Sequence, residues 1–205
     1  EDLGIEDTAV LAAGAGKYDM AARVTNPNAR WWAEFDYRFG GDATAAARHG
    51  YLLPGDAKYM LALGVKAGAR PSSAGLAIEN LVWHRADPHL TLPDYVTWST
   101  ARTTFAVSGI TFTPSPQGDP LAISRATFTV KNETAVGYHA VGFTVALLSG
   151  GRLVGINYVT ISDLRAGESR DVSASWFSEL PSVSRVEVQP DVNIFDVRSY
   201  LAPGE

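Results

Sequence analysis

Three groups of residues in this 205-residue chain have types and spacings that could carry chemistry. His84, Asp87 and His89 are the first. A His-x₄-His pair binds a metal ion from one face of a helix, but Pro88 interrupts this one and no third histidine lies near. A zinc site needs three or four convergent ligands, so the spacing predicts no metal centre. His49 and His139 stand isolated and are expected at the surface or on sheet edges. The second group is Trp31-Trp32 with Arg30 before it. On a strand, neighbouring side chains point to opposite faces, so one indole enters the core and the other is left outside. An exposed Trp beside Arg30 and Asn28 would stack on a sugar ring or anchor a protein partner, as Trp and Arg do in binding hot spots. The plainer reading is that it packs against the second half of the chain or the loop after it. The third group is Asn132-Glu133-Thr134, which satisfies the glycosylation sequon. Its counterpart Asn26-Pro27-Asn28 shows what both share, an Asn that bonds its own backbone two residues on and builds a turn.

Signatures of catalysis are missing. The chain has no G-x-S-x-G elbow, no H-E-x-x-H and no phosphate loop. It has no cysteine, which removes disulfides, thiolate metal sites and thiol nucleophiles. The acidic residues scatter over turns and outer faces rather than forming the facing pair a glycosidase needs. The chain is therefore expected not to be an enzyme and to need no cofactor.

The elements that must position these residues are strands. Hydrophobic residues make up 46% of the chain and charged ones 19%, enough apolar material for packed cores. The aromatic share of 10% suits half-buried pleated surfaces. With 17 basic against 22 acidic residues and no Lys/Arg run, nothing tracks phosphates, so nucleic acid is excluded as a partner. A polybasic membrane-surface patch is excluded on the same ground. No apolar run approaches the ~20 residues that span a bilayer, so this segment is not expected to insert in a membrane. The chain begins at Glu1 rather than Met, as expected of a trimmed or processed chain with a signal or anchor segment upstream.

One pattern occurs twice. Residues 18–26 alternate Tyr18, Met20, Ala22 and Val24 before Asn26; 106 positions on, residues 124–132 alternate Ala126, Phe128 and Val130 before Asn132. Phe35, Tyr37 and Phe39 are answered at the same offset by Val141, Phe143 and Val145. Both runs meet a glycine pair, Gly40-Gly41 and Gly150-Gly151. Both continue into a turn, Leu53-Pro54-Gly55-Asp56 and Leu164-Arg165-Ala166-Gly167-Glu168. Alternating runs follow, Tyr59/Leu61/Leu63 and Val172/Ala174/Trp176, then last strands at 76–83 and 183–188. Residues 104–113 open the second copy. Period-2 alternation with turns every 8–12 residues is the mark of a sandwich of short antiparallel strands. No segment sustains a helical stripe, and the best helix candidate, 42–48, is too short to stand alone. The expected architecture is all-β, two tandem antiparallel immunoglobulin-like β-sandwich domains at 1–88 and 100–205. Residues 89–99 join them as a linker, and in the stretch 87–94 across its start Pro88 and Pro93 block helix and central strand. Within it, Tyr95–Trp98 is expected to be a short strand or an interdomain plug.

Val24-Thr25-Asn26-Pro27-Asn28, Phe35-Asp36-Tyr37-Arg38-Phe39 and Leu53-Pro54-Gly55 in the first copy carry a family resemblance. Val130-Lys131-Asn132-Glu133-Thr134, Phe143-Thr144-Val145 and Ala166-Gly167-Glu168 carry it in the second. Over most of its length the chain resembles FxLYD-like and related immunoglobulin-like sandwiches of bacterial envelope proteins. The first copy departs from the pattern at 43–48. The resemblance implies an extracytoplasmic module, at the cell surface or in the periplasm, held by an upstream membrane anchor. It implies no catalytic residues. The expected role is a non-catalytic binding or adhesion module that meets a protein or glycan partner through Trp31, Trp32 and Arg30. A structural spacer or assembly component of an envelope complex is the alternative.

Overall fold

The computed structural model describes residues 1–41, 45–116 and 123–202. It divides the chain into two compact units, Glu1–Leu90 and Thr91–Glu205. In the first, β1 (Gly4–Gly14), β2 (Lys17–Thr25) and β5 (Ala57–Lys66) form one antiparallel sheet in the order β1-β2-β5. The second sheet has the order β4-β3-β6, from β3 (Trp31–Gly40), β4 (Arg48–Leu52) and β6 (Gly75–Arg85). The second unit begins with a helix, α1 (Tyr95–Thr103), and then repeats the plan. Its strands are β7 (Phe105–Thr113), β8 (Ser124–Asn132), β9 (Tyr138–Ser149), β10 (Arg152–Leu164), β11 (Ser169–Trp176) and β12 (Arg185–Asp191). They pair as β11-β8-β7 and β10-β9-β12, so each strand occupies the place of the one six earlier. The chain is thus two tandem antiparallel β-sandwiches.

The alternating runs supply the two cores. Met20, Ala22 and Val24 of β2 face Phe35, Tyr37 and Phe39 of β3 across the first sandwich, with Leu52, Met60 and Ala62 closing the layer. Tyr37 ties the two sheets together, its hydroxyl donating to the Leu61 carbonyl at 3.1 Å. In the second unit Phe128 and Val130 of β8 and Val141, Phe143 and Val145 of β9 are buried in the same way. In β5 the phase differs from the Tyr59/Leu61/Leu63 run: Met60 and Ala62 enter the core cluster. The register shift where β2 pairs β5, between Tyr18 and Met20, belongs to the same strand pair.

That shift positions Asp19, 8% exposed, whose Oδ1 accepts the Gly64 amide at 2.8 Å. Burial raises its carboxyl above the ordinary 3.8, and the Gly64 hydrogen bond offsets only part of the effect. A raised folded value means that Asp19 contributes stability fully below 3.8, and that this is lost as pH rises through the folded value. Asp19→Asn keeps the acceptor and removes the charge. It is therefore expected to raise the urea midpoint near pH 7 and to flatten its decline above the unfolded value. Equal midpoints for the two proteins across that range would show that Asp19 is not under strain.

The Asn turns are more than local turns. Asn26, 2% exposed, donates its amide to the carbonyls of Trp31 (2.7 Å) and Leu53 (2.9 Å), while its Oδ1 accepts the Asn28 amide at 3.0 Å. Asn132 repeats this with Val136 (2.8 Å), Arg165 (3.1 Å) and the Thr134 amide (3.0 Å). Each Asn backbone N–H also bonds the far turn, Asn26 to Asp56 and Asn132 to Glu168. These matched bonds fix the alignment of the copies and correct a constant offset. It is 106 at the Asn and 112 at the turn, because β9 and β10 (12 and 13 residues) are longer than β3 and β4 (10 and 5). Asn132 is fully buried with its amide engaged, so the sequon is closed to glycosylation in the folded protein.

Two expectations need correction or limits. The segment around Tyr95–Trp98 is helical, not a strand, because Asp94 caps it, its Oδ1 accepting the Thr97 amide at 3.0 Å. Tyr95 and Trp98 stack on Phe195 of the same unit, at 6.2 and 5.1 Å between ring centroids. Of the helix candidate at 42–48, residues 42–44 lie outside the described residues; 45–47 have no regular structure, and Arg48 opens β4.

Candidate functional site

Position along β3 decides what each candidate residue does. Arg30 lies exposed in the turn before the strand, its carbonyl accepting the Ala86 amide at 2.9 Å. Trp31 and Trp32 point to opposite faces, as alternation requires. Trp31 has the core-facing parity of Ala33 and Phe35 but sits at the strand end, where the core has run out, and is 43% exposed. It lines an open depression of about 320 Å³ with Glu1, Asp2, Asn28 and Trp83. Trp83 lies across from Ala33 and packs on the core cluster, so it holds the depression to the rigid part of the sandwich. Asn28 is oriented by Asn26, with its Nδ2 3.1 Å from the Asn26 Oδ1. Two indoles with carboxylates and an amide at the rim form an apolar platform edged by hydrogen-bonding groups.

Trp32 lies on the outer face of the β4-β3-β6 sheet and stacks on His84, directly across in β6, at 4.3 Å and 22°. Below it on the same face stand Glu34, Asp36 and Arg38. Register brings four more polar side chains to them: Tyr51 opposite Glu34, His49 and Glu79 on either side of Asp36, and Asn80 at a bulge in β6 with φ of 53°. His84 Nε2 is 2.9 Å from Glu34 Oε2. This nitrogen is shielded from solvent and makes no aligned hydrogen bond. His49 bridges the two carboxylates, with Nδ1 3.4 Å from Asp36 Oδ1 and Nε2 3.9 Å from Glu34 Oε1. Asn80 donates to Asp36 Oδ2 at 2.8 Å. This bond first, and His49 second, hold the Asp36 carboxyl below its ordinary value. Arg38 pairs with Glu79 at 2.7 Å.

The histidine spacing along the chain builds no shared site. His84 turns to Glu34 across the sheet, while Asp87 forms a turn in which its Oδ1 accepts the His89 amide at 2.8 Å. His49 is exposed on an edge strand but not isolated, and His139 likewise lies 3.4 Å from Asp163. Among the described residues no three His, Asp or Glu side chains are grouped to hold a metal ion. Also among them, no helix is long and apolar enough to cross a membrane.

No family model matches the chain, and no curated protein matches it. Among solved structures, a red sea bream transglutaminase aligns over 93% of this chain at 12% identity, with a TM-score of 0.24. The chain spans 29% of that protein's length. At that score the likeness carries no argument.

Proposed function

We propose that the chain is a non-catalytic binding module, displayed outside the cytoplasm and held by an upstream anchor, as the resemblance to FxLYD-like envelope domains implies. It meets a protein or glycan partner through the depression at Trp31. The observation that carries this reading is an exposed Trp31 beside a core-anchored Trp83, with Asn28 and two carboxylates at the rim. Such a platform stacks on a sugar ring or takes a side chain from a partner protein, while the acidic residues Glu1 and Asp2 accept its hydrogen bonds. Arg30, exposed one residue away, adds a donor for the same partner.

The spacer alternative calls for its spare aromatics to be hidden between the sandwiches. Within the units, Trp83 packs on the core of its own sandwich, and Tyr95 and Trp98 stack on Phe195.

The test is to probe an array of cell-surface oligosaccharides and envelope proteins with labelled wild type and Trp31→Ala. Truncating a half-exposed side chain at a strand end is expected to change stability by under ~1 kcal/mol. Loss of a hot-spot Trp weakens binding about tenfold or more. Trp31→Ala that stays folded and binds every probe as wild type does would refute the assignment.

A further inference from the structure

The edge of a sheet carries a row of backbone N–H and C=O groups that pair with another strand unless something guards them. The first sandwich has such edges at β1, β4, β5 and β6. β1 is broken by two register shifts and by Asp7 at φ of 42°, and Arg70 caps its Val10 carbonyl at 3.0 Å. β4 has only five residues. β5 bulges at Gly64 (φ 68°), where its pairing with β2 shifts register. β6 has eleven residues and one bulge, at Asn80, beyond which 82–85 keep unbroken register with β3.

The ladder fixes which groups of β6 are open. The Ala86 N–H donates to the Arg30 carbonyl, so these two residues form a hydrogen-bonded pair. Bonded and non-bonded pairs alternate along an antiparallel ladder. Trp32/His84 and Glu34/Val82 are therefore bonded, while Trp31/Arg85 and Ala33/Trp83 are not. The N–H and C=O of Trp83 and Arg85 point away from β3, and among the described residues no strand pairs with them. Beside them Leu81 and Val82 are 38% and 50% exposed, the only adjacent pair of exposed large apolar residues on a described strand. The second copy of the fold guards the same edge. There β12 sets Pro190 opposite Phe143, in the place that Ile78 opposite Tyr37 holds in the first. A proline has no N–H to offer an incoming strand.

From this geometry we infer that the chain forms a symmetric dimer in which β6 pairs antiparallel with β6 of a second copy. The edge itself selects this partner. The other edges of the first sandwich are guarded, and no other described strand offers two adjacent exposed apolar side chains to cover Leu81 and Val82. A second β6 offers the same pair. The contact is isologous, so it closes after two copies and does not propagate into fibres. A two-fold axis through Trp83 lets the two Trp83 backbones exchange both hydrogen bonds and sets Val82 beside His84 of the other copy. The paired run is short, which places the interface among small, transient ones, with Kd on the order of 100 μM.

The experiment is sedimentation equilibrium of the full chain, joined to amide hydrogen exchange read by NMR. Wild type is expected to be a monomer near ~10 μM and mostly a dimer near ~1 mM. Across that range exchange at the Trp83 and Arg85 amides is expected to slow several-fold, whereas the His84 amide, already bonded to β3, is slow throughout. Leu81→Lys/Val82→Lys changes two exposed positions and places the residue that natural edges use as a guard. It is expected to keep the wild-type circular dichroism and to stay a monomer. Val197→Lys, at an 80% exposed site in the other unit, controls for general apolar stickiness and is expected to dimerise as wild type does. A monomer up to ~1 mM overturns the inference, and so does a dimer that survives in the double-lysine variant. A dimer that leaves the Trp83 and Arg85 amides unchanged, or is lost equally in Val197→Lys, overturns it too, by placing the contact elsewhere.

Discussion

Asn26→Ala is expected to destabilise the first sandwich by about 3 kcal/mol, and Asn132→Ala the second by a similar amount, because each strands several buried main-chain groups at once. The Asn26 amide satisfies the Trp31 carbonyl and reinforces Leu53, and its oxygen satisfies the Asn28 N–H. Alanine supplies none of these, and the site lies too deep for water to replace them without opening the turn. Asn132 does the same for Val136, Arg165 and Thr134. Asp in either place should be worse near neutral pH. It offers no N–H to the carbonyls and sets a buried charge against their oxygens. Asn28→Ala is the control: its side chain bonds Asn26 and the exposed Glu1, where water can replace it, so the loss should be about 1 kcal/mol. Urea midpoints of the five variants decide the matter. Asn26→Ala melting with Asn28→Ala would mean that the buried amide holds nothing together.

Both asparagines were legible in the sequence as turn-formers, but their main work was not. An Asx turn is local, whereas the bonds to Leu53 and Arg165 reach 27 and 33 residues along the chain and exist only once the strands are stacked. The same divide runs through the fold. Strands with clean alternation and a buried face, β2, β3, β8 and β9, can be read from the residues alone. β1 hides because it is an edge strand with two register shifts and a run of polar residues in Gly4–Gly14. β4 hides because it has five residues with a glycine in the middle. α1 hides because Asp94 starts a helix straight after Pro93, a residue read as a barrier.

The candidate site divides similarly. That Trp31 and Trp32 face opposite ways follows from their adjacency on a strand. Glu34 and Asp36 were not singled out, and their meeting with His49 and His84 could not be read along the chain, since the four come from three strands and meet only because the order is β4-β3-β6. A signal was present in β3 itself, where Trp32, Glu34, Asp36 and Arg38 occupy every outward position. His89, which the spacing along the chain groups with His84, lies in a turn, whereas His84 pairs across the sheet.

Gly50→Val should bring the other large loss, about 3 kcal/mol, by overfilling the first core. The backbone there needs no glycine, so the cost comes from space. A Cβ at Gly50 would lie 2.8 Å from Phe35 Cε2, 3.0 Å from Tyr37 Cδ1 and 3.2 Å from Met60 Sδ. None of these neighbours can yield cheaply. Phe35 is 1% exposed, the Tyr37 hydroxyl is bonded to Leu61 across the sandwich, and Met60 is 3% exposed. Alanine should cost about 1–2 kcal/mol and valine more, since its second carbons enter the space of the rings. Gly142 gives the contrast. A Cβ there would overlap the Tyr158 hydroxyl, but Tyr158 is 38% exposed and its ring has solvent on one side. Gly142→Ala should therefore cost less than Gly50→Val, with the 3.0 Å bond from Tyr158 to Asp191, worth about 1 kcal/mol, among the contacts given up. Near-UV circular dichroism should register the displaced Phe35 and Tyr37 rings in Gly50→Val, and its urea midpoint should fall well below that of Gly142→Ala. The reverse order would mean that the first core has slack around Gly50, and that the glycine there is kept for some reason other than room.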